Sequence, residues 1–332
     1  MKNWINKLPQ SRKPFPLLSF PSSQLIGESV YRITHDAEIQ AEGIVRIARE
    51  FNSAAAVCMM DLSVEAEAFG CKIVVKENEI PTVVGALISD IDEIPSLPIP
   101  VVGDASNRTG LYIKAAKLGA EQIKDRPVFA GIIGPFSLVG RLMEVQEALM
   151  NCIADEDFVS AALEKATEFL IRYAKGYKDA GINGLVMAEP LAGILSPALE
   201  EVFSAPYVKQ IIDSVQDENF IVIYHNCGPN ITRMTKSFAD NGAAAYHFGD
   251  AVDLVQMLEL MPADKPVMGN ISPSEQFLSG TPESMTEAVN MLINKCSSYK
   301  NFVLSSGCDI PPSSSLANIR AFFKAAEDAA GK

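Results

Sequence analysis

The chain has 332 residues, a formal net charge of −13 and 48% hydrophobic residues, an ordinary globular composition with room for one large α/β domain or two smaller ones. The acidic balance, with no basic arm or long basic run, speaks against a nucleic-acid partner. No run approaches the roughly 20 apolar residues that span a membrane and no secretory leader is legible, so no membrane partner and a cytoplasmic location are expected.

Short apolar runs recur along the chain, and most break into glycine or polar residues. They predict strands over 14–20 (PFPLLSF), 56–61, 127–134, 184–189, 220–225, 244–249, 265–270 and 301–306. Their length and β-branched content fit parallel strands covered on both faces. Helical patterns lie between and after them, among them AEIQAEGIVRIAREFNS, DFVSAALEKATEFLIRYAKGYKDAG, SAPYVKQIIDSVQDE and LANIRAFFKAAEDAAG. Eight strands with helical connections predict a closed (β/α)₈ barrel, one domain over 1–332. Two segments break the rhythm. Residues 67–88 read as a small β-hairpin excursion, and 141–158 as extra helices near the barrel mouth. There is no internal repeat, low-complexity tract or domain boundary.

In a parallel barrel the reactive side chains gather at the carboxyl ends of the strands. Asp61, Glu189, His225, Cys227, His247, Asn270 and Cys308 all fall there. His225 and Cys227 form a His-x-Cys pair in VIYHNCGPN, and Cys308 stands 81 positions after Cys227 in VLSSGCDIPP. One imidazole and two thiolates give zinc three protein ligands and leave the fourth position open, the composition of a catalytic site. Taken singly, Cys308 also reads as a small buried hydrophobe, and His225 as a histidine satisfied by hydrogen bonds. Cys58, Cys71, Cys152 and Cys296 lack such a setting and read as core or helix residues. Six cysteines in a chain this long, without a secretory signal, do not form a disulfide framework.

The remaining candidates each carry two readings. Asp61 orients substrate or caps a helix, and Glu65 and Glu67 join it in an acidic trio that shapes the cavity. Glu189 is a carboxylate at a strand end before proline. Burial there makes an idle charge costly, so contact with substrate or a displaceable metal oxygen is the favoured role. His247 is a packed mouth histidine or a catalytic one. Asp309 forms a turn or tunes the site. Gly134 lies in GIIGPFSLVGRL, which does not match the dinucleotide fingerprint; its glycines instead let a flat ligand approach the backbone. Asn270 opens a loop that forms a polar cavity wall or is ordinary loop chemistry. Asp61 and Glu189 are expected to affect turnover more than folding.

Together, DLSVEAEAFG, IIGPFSLVGRLM, AEPLAGILSP, HNCGPN, MGNISP and SSGCDIPPSSSLANIRAF resemble the uroporphyrinogen decarboxylase superfamily, from about residue 12 to 330. The nearer resemblance is to its corrinoid-dependent methyltransferase branch, which includes methylcobamide:coenzyme M methyltransferases. That resemblance implies a (β/α)₈ barrel with Zn²⁺ on His225, Cys227 and Cys308. It also implies a methylcorrinoid as methyl donor, carried by a separate corrinoid protein, and a small thiol such as coenzyme M as acceptor. The decarboxylase branch fits less well, because its arginine-rich segment of the form MRQAGR has no counterpart near PFPLLSFPSSQ. Three other functions stay open: tetrapyrrole decarboxylation, a first-step methyl transfer onto a corrinoid protein, and non-catalytic binding of corrinoid or thiol.

Overall fold

Seven parallel strands form the frame of the computed structural model, which describes residues 1–331. In chain order the strands are β1 (Ala56–Val57), β2 (Ile73–Lys76), β3 (Glu79–Val83), β4 (Val128–Ile133), β5 (Gly184–Ala188), β6 (Ile221–Asn226), β7 (Ala245–Phe248), β8 (Val267–Ile271) and β9 (Phe302–Ser306). The main sheet runs β1-β4-β5-β6-β7-β8-β9, so each strand pairs with the next one of that sheet in the sequence. β4, β5, β6 and β7 are buried at every position, which is why they read as continuous apolar runs rather than alternating ones.

Two layers of core follow from the pleat. One side of the strands, including Ala130, Ile132, Leu185, Met187, Val222 and Tyr224, packs against the helices. The other side draws Val57, Phe129, Val186, Ile223, Met268 and Val303 from successive strands into a separate inner cluster. Ile5 and Leu8 of the first helix, Lys2–Ser11, join that inner cluster. The helices start on side-chain caps where the sequence offers them: Asp36 accepts from the amides of Glu38 and Ile39 below Ala37–Glu50, and Asp155 from Phe158 below Glu156–Asp179.

The expected eighth strand is corrected. Residues 14–20 form no strand, and the sheet is seven-stranded and open rather than an eight-stranded closed ladder. The reason lies in the sequence: Pro14 and Pro16 have no N–H, so alternate ladder bonds cannot form. The run is nevertheless extended beside the sheet. The Phe15 amide donates to Leu304 O at 2.9 Å, the Leu17 amide to Ser306 Oγ at 3.0 Å, and the Ala54 amide to Pro14 O at 2.8 Å. β1 is also shorter than expected, ending at Val57 rather than residue 61.

The two irregular segments take the expected forms. β2 and β3 make an antiparallel hairpin, with Ile73 opposite Val83 and Lys76 opposite Glu79. Helices Pro135–Met143 and Val145–Ala154 occupy the region after β4 and lead directly into Glu156–Asp179. Among the described residues no helix is long and apolar enough to cross a membrane.

Candidate metal centre

Register brings the histidines together. Ala188 pairs with His225 across β5 and β6, and His225 pairs with His247 across β6 and β7. Paired residues of neighbouring strands project from the same face, so both imidazoles enter the same space. Cys227 follows β6 in a turn held by Asn226, whose Oδ1 accepts from the Gly228 amide at 2.9 Å and whose Nδ2 donates to Glu189 O at 2.7 Å. Gly249 lies against Cys227 and Gly228 against Gly193, so closely that a Cβ on Gly249 or Gly228 would overlap its neighbour. Cys308 follows β9, and the Gly307 amide before it donates to Ile271 O at 2.7 Å.

The result is a cluster of one nitrogen and two sulfurs whose ligand atoms all lie within 4.8 Å of one another. Cys308 Sγ is 3.4 Å from His225 Nε2. Tetrahedral zinc with ordinary Zn–S and Zn–N bonds sets its ligand atoms about 3.5–3.8 Å apart, so the donor set fits in kind and in spacing. The other four cysteines, Cys58, Cys71, Cys152 and Cys296, are buried away from this cluster, and all six are free thiols. Each of the two cluster thiols feels the other: the Cys308 thiol holds Cys227 below the usual thiol range, and the Cys227 thiol together with burial pushes Cys308 up to about 12. A metal taking both sulfurs as thiolates would have to displace their protons.

His247 lies behind His225, fully buried. Its Nδ1 is 2.8 Å from His225 Nδ1, and its Nε2 is 2.8 Å from Ser305 Oγ. Burial, reinforced by the neighbouring His225, holds the His247 pKa well below 6.5.

The expected acidic residues are tied into the fold. Asp61 accepts from Arg108 Nη1 at 2.6 Å, Tyr112 Oη at 2.8 Å, and both the amide and hydroxyl of Ser63. Arg108 also bonds Glu67 through Nε at 2.6 Å. Asp61 is thus one half of a buried ion pair rather than a helix cap. The Glu189 carboxylate lies over the N-terminus of helix Pro135–Met143, accepting from the Phe136 and Ser137 amides at 2.9 and 2.7 Å and from the Ser137 hydroxyl. Burial pushes it to about 7 even so. A Cβ on Gly134 would overlap that carboxyl group, so the glycine leaves room for Glu189. Asn270 uses its side-chain amide to bind Gly249 O at 3.0 Å and Val252 O at 2.8 Å, joining the ends of β7 and β8. Asp309, next to Cys308, accepts from Ser19 Oγ at 3.4 Å. It borders a cavity of about 310 Å³ whose lining includes Met60, Ser63, Thr82 and Arg141.

Sequence reasoning gave no role to Arg108, Ser137 or Ser305. Each acts on a residue far away in the chain, and only strand register or loop packing reveals the pairing. Glu65 was placed in the acidic trio but lies deeper than a cavity wall. One oxygen accepts from the Ile133 amide at 2.9 Å, the other has no partner, and burial pushes the group to about 8. A carboxyl raised from 4.5 to about 8 favours the fold below 4.5, and that contribution is lost as pH rises through about 8. Urea unfolding should therefore show stability falling between pH 5 and 8, with a shallower fall in Glu65→Gln. Parallel curves for the two proteins would remove Glu65 from the account.

The sequence profile of the uroporphyrinogen decarboxylase (URO-D) family matches residues 18–329. Methylcobamide:CoM methyltransferase MtbA of Methanosarcina acetivorans is 25% identical over 272 residues, covering 81% of this chain and 78% of that protein. A uroporphyrinogen decarboxylase of Christiangramia forsetii is 24% identical over 299 residues, covering 88% and 84%. Among solved structures, a methyltransferase from Methanosarcina mazei superimposes with a TM-score of 0.87 at 21% identity, over 98% of both chains. A B12-independent methionine synthase from Shewanella follows at 0.60 and 14% identity, over 89% and 87%.

Proposed function

We propose, for a chain that belongs to the uroporphyrinogen decarboxylase (URO-D) family, that it is a zinc-dependent methyltransferase passing a methyl group from a methylated corrinoid to a small thiol. The observation that carries this reading is the convergence of His225, Cys227 and Cys308 at strand ends. The relatedness to methylcobamide:CoM methyltransferases supports the same activity and makes coenzyme M the first acceptor to test.

His225, Cys227 and Cys308 would hold Zn²⁺ and leave one coordination position to the acceptor. Bound there, zinc supplies the Lewis acidity that lets a thiol, with an ordinary pKa near ~8.5, give up its proton at neutral pH. Two anionic sulfurs and a neutral imidazole would keep such a centre electron-rich, which would preserve the nucleophilicity of the acceptor sulfur. The acceptor loses its proton to solvent, sulfur forms a bond to the methyl carbon, the cobalt–carbon bond breaks, and its electron pair stays on cobalt. The products are a methyl thioether and a cob(I) corrinoid, with the corrinoid carried by a separate protein.

The other residues serve this site indirectly. Glu189 holds the helix after β4, Gly134 leaves it space, Asn270 ties the loops after β7 and β8, and Asp61 anchors Arg108. The extended run at 14–17, bonded beside β9 and to Ala54 two residues before β1, supports a (β/α)₈ barrel in which that run stands in for the eighth strand. The inner cluster drawn from successive strands supports the same closure, and a single-domain protein of the cytoplasm remains the proposal.

Purified zinc-loaded protein, given methylcobalamin and coenzyme M, should yield methyl-coenzyme M and cob(I)alamin in equal amounts. Carbon dioxide release from a porphyrinogen without methyl transfer would replace this reading with a decarboxylase. Methyl transfer from an ether or amine onto a corrinoid protein would assign the first-step reaction. No product with any thiol and donor would leave a binding protein.

A further inference from the structure

We infer that Ser305 and His247 are positioning residues that fix the proton on His225 Nδ1 and so present its Nε2 lone pair to the two cysteines. The inference rests on the metal-ligand reading of His225 and adds a tautomer-setting relay behind it.

The order of protons follows from carbonyl groups in the chain of contacts, which can only accept. Ser305 Oγ lies 2.6 Å from the Phe15 carbonyl, so the hydroxyl hydrogen points to that oxygen. Ser305 Oγ is then left to accept at its other contact, from His247 Nε2 at 2.8 Å. The Nδ1 atoms of His247 and His225 lie 2.8 Å apart, so a single hydrogen lies between them. His225 Nδ1 is also 3.3 Å from the His247 carbonyl, a group that can only accept, and this places the hydrogen on His225. His247, donating through Nε2, accepts at Nδ1. With Nδ1 protonated, the lone pair of His225 is on Nε2, the atom 3.4 Å from Cys308 Sγ.

Each part of the relay has a structural origin. Phe15 is held against β9 by the hydrogen bond its amide donates to Leu304 O. Ser305 faces inward because it lies two residues beyond Val303, which belongs to the inner cluster. Strand register sets the two histidines side by side. A serine in this strand thus acts on the metal ligand through two imidazole edges, the arrangement by which outer partners orient a ligating histidine.

The test uses ¹⁵N-histidine protein in both metal-free and zinc-loaded forms. Long-range ¹H–¹⁵N spectra of the metal-free wild type should show His225 protonated at Nδ1 alone. Ser305→Ala should mix the His225 tautomers and weaken zinc by about 10–100-fold in chelator competition, the usual effect of losing such a partner. Ser305→Thr, which keeps the hydroxyl, should restore both readings. His247→Phe should weaken zinc similarly, with circular dichroism confirming the fold. Wild-type protein with His225 protonated at Nε2, or Ser305→Ala with unchanged tautomer and zinc affinity, would overturn the inference. A wild type that shows the Nδ1–H tautomer but binds no zinc would instead overturn the ligand reading and leave the relay standing.

Discussion

Cys308→Ser is expected to strip the protein of zinc and of methyl transfer while leaving it folded. A serine hydroxyl is a hard donor that holds its proton far more tightly than a thiol, so it cannot replace a thiolate sulfur on this metal. The loss of affinity should exceed the roughly 10–100-fold that follows removal of an outer partner, because a direct ligand is gone. The fold should survive, since Cys308 is partly exposed in a loop after β9 and the apolar core lies elsewhere. Metal analysis, chelator competition and a thermal melt make the three measurements. Cys71→Ser is the matched control. Its thiol belongs to the hairpin side of the molecule, donates weakly to Arg141 O at 3.8 Å, and should keep full zinc. If Cys308→Ser held a full complement of zinc with unchanged sulfur coordination, the assignment of the ligand set would fail.

The cysteines also show how far the chain could be read before it was folded. His225, Cys227 and Cys308 were legible because their chemistry is unusual and because each follows an apolar run that breaks into a turn. The six strands of the main sheet after β1 fall within two residues of their expected limits. The run at 14–20 was not a strand because the expectation weighed its apolar side chains and neglected the two missing N–H groups of Pro14 and Pro16. The partners of the acidic residues were hidden for another reason. Burial of Asp61 and Glu189 was foreseeable, but which cations and amides answered them was not. Arg108 lies 47 residues after Asp61 in the polar stretch DASNRTG, and nothing local marks it as a partner. The two carboxylates were expected to govern turnover. Their hydrogen bonds instead point to stability.

That change gives the second large effect. Arg108→Met should destabilise the protein by about 3–5 kcal/mol in urea unfolding, the usual result of removing one member of a buried ion pair. The Asp61 side chain is fully buried and that of Arg108 is 7% exposed, so water does not replace the guanidinium. Removing it also leaves the carboxylates of Asp61 and Glu67, both of which it now bonds, without their shared cation. Lysine is a poor substitute, since it cannot make the three bonds that the planar guanidinium sends to Asp61, Glu67 and Ser63. Adding Asp61→Asn to Arg108→Met should recover part of the loss, because the stranded charge is then removed, and the double variant should fall short of the summed single effects. Zinc content should remain at the wild-type level throughout, since neither residue supplies a ligand atom. A loss under about 1 kcal/mol for Arg108→Met would be the behaviour of an exposed pair, and would return Asp61 to the candidates for a role in turnover.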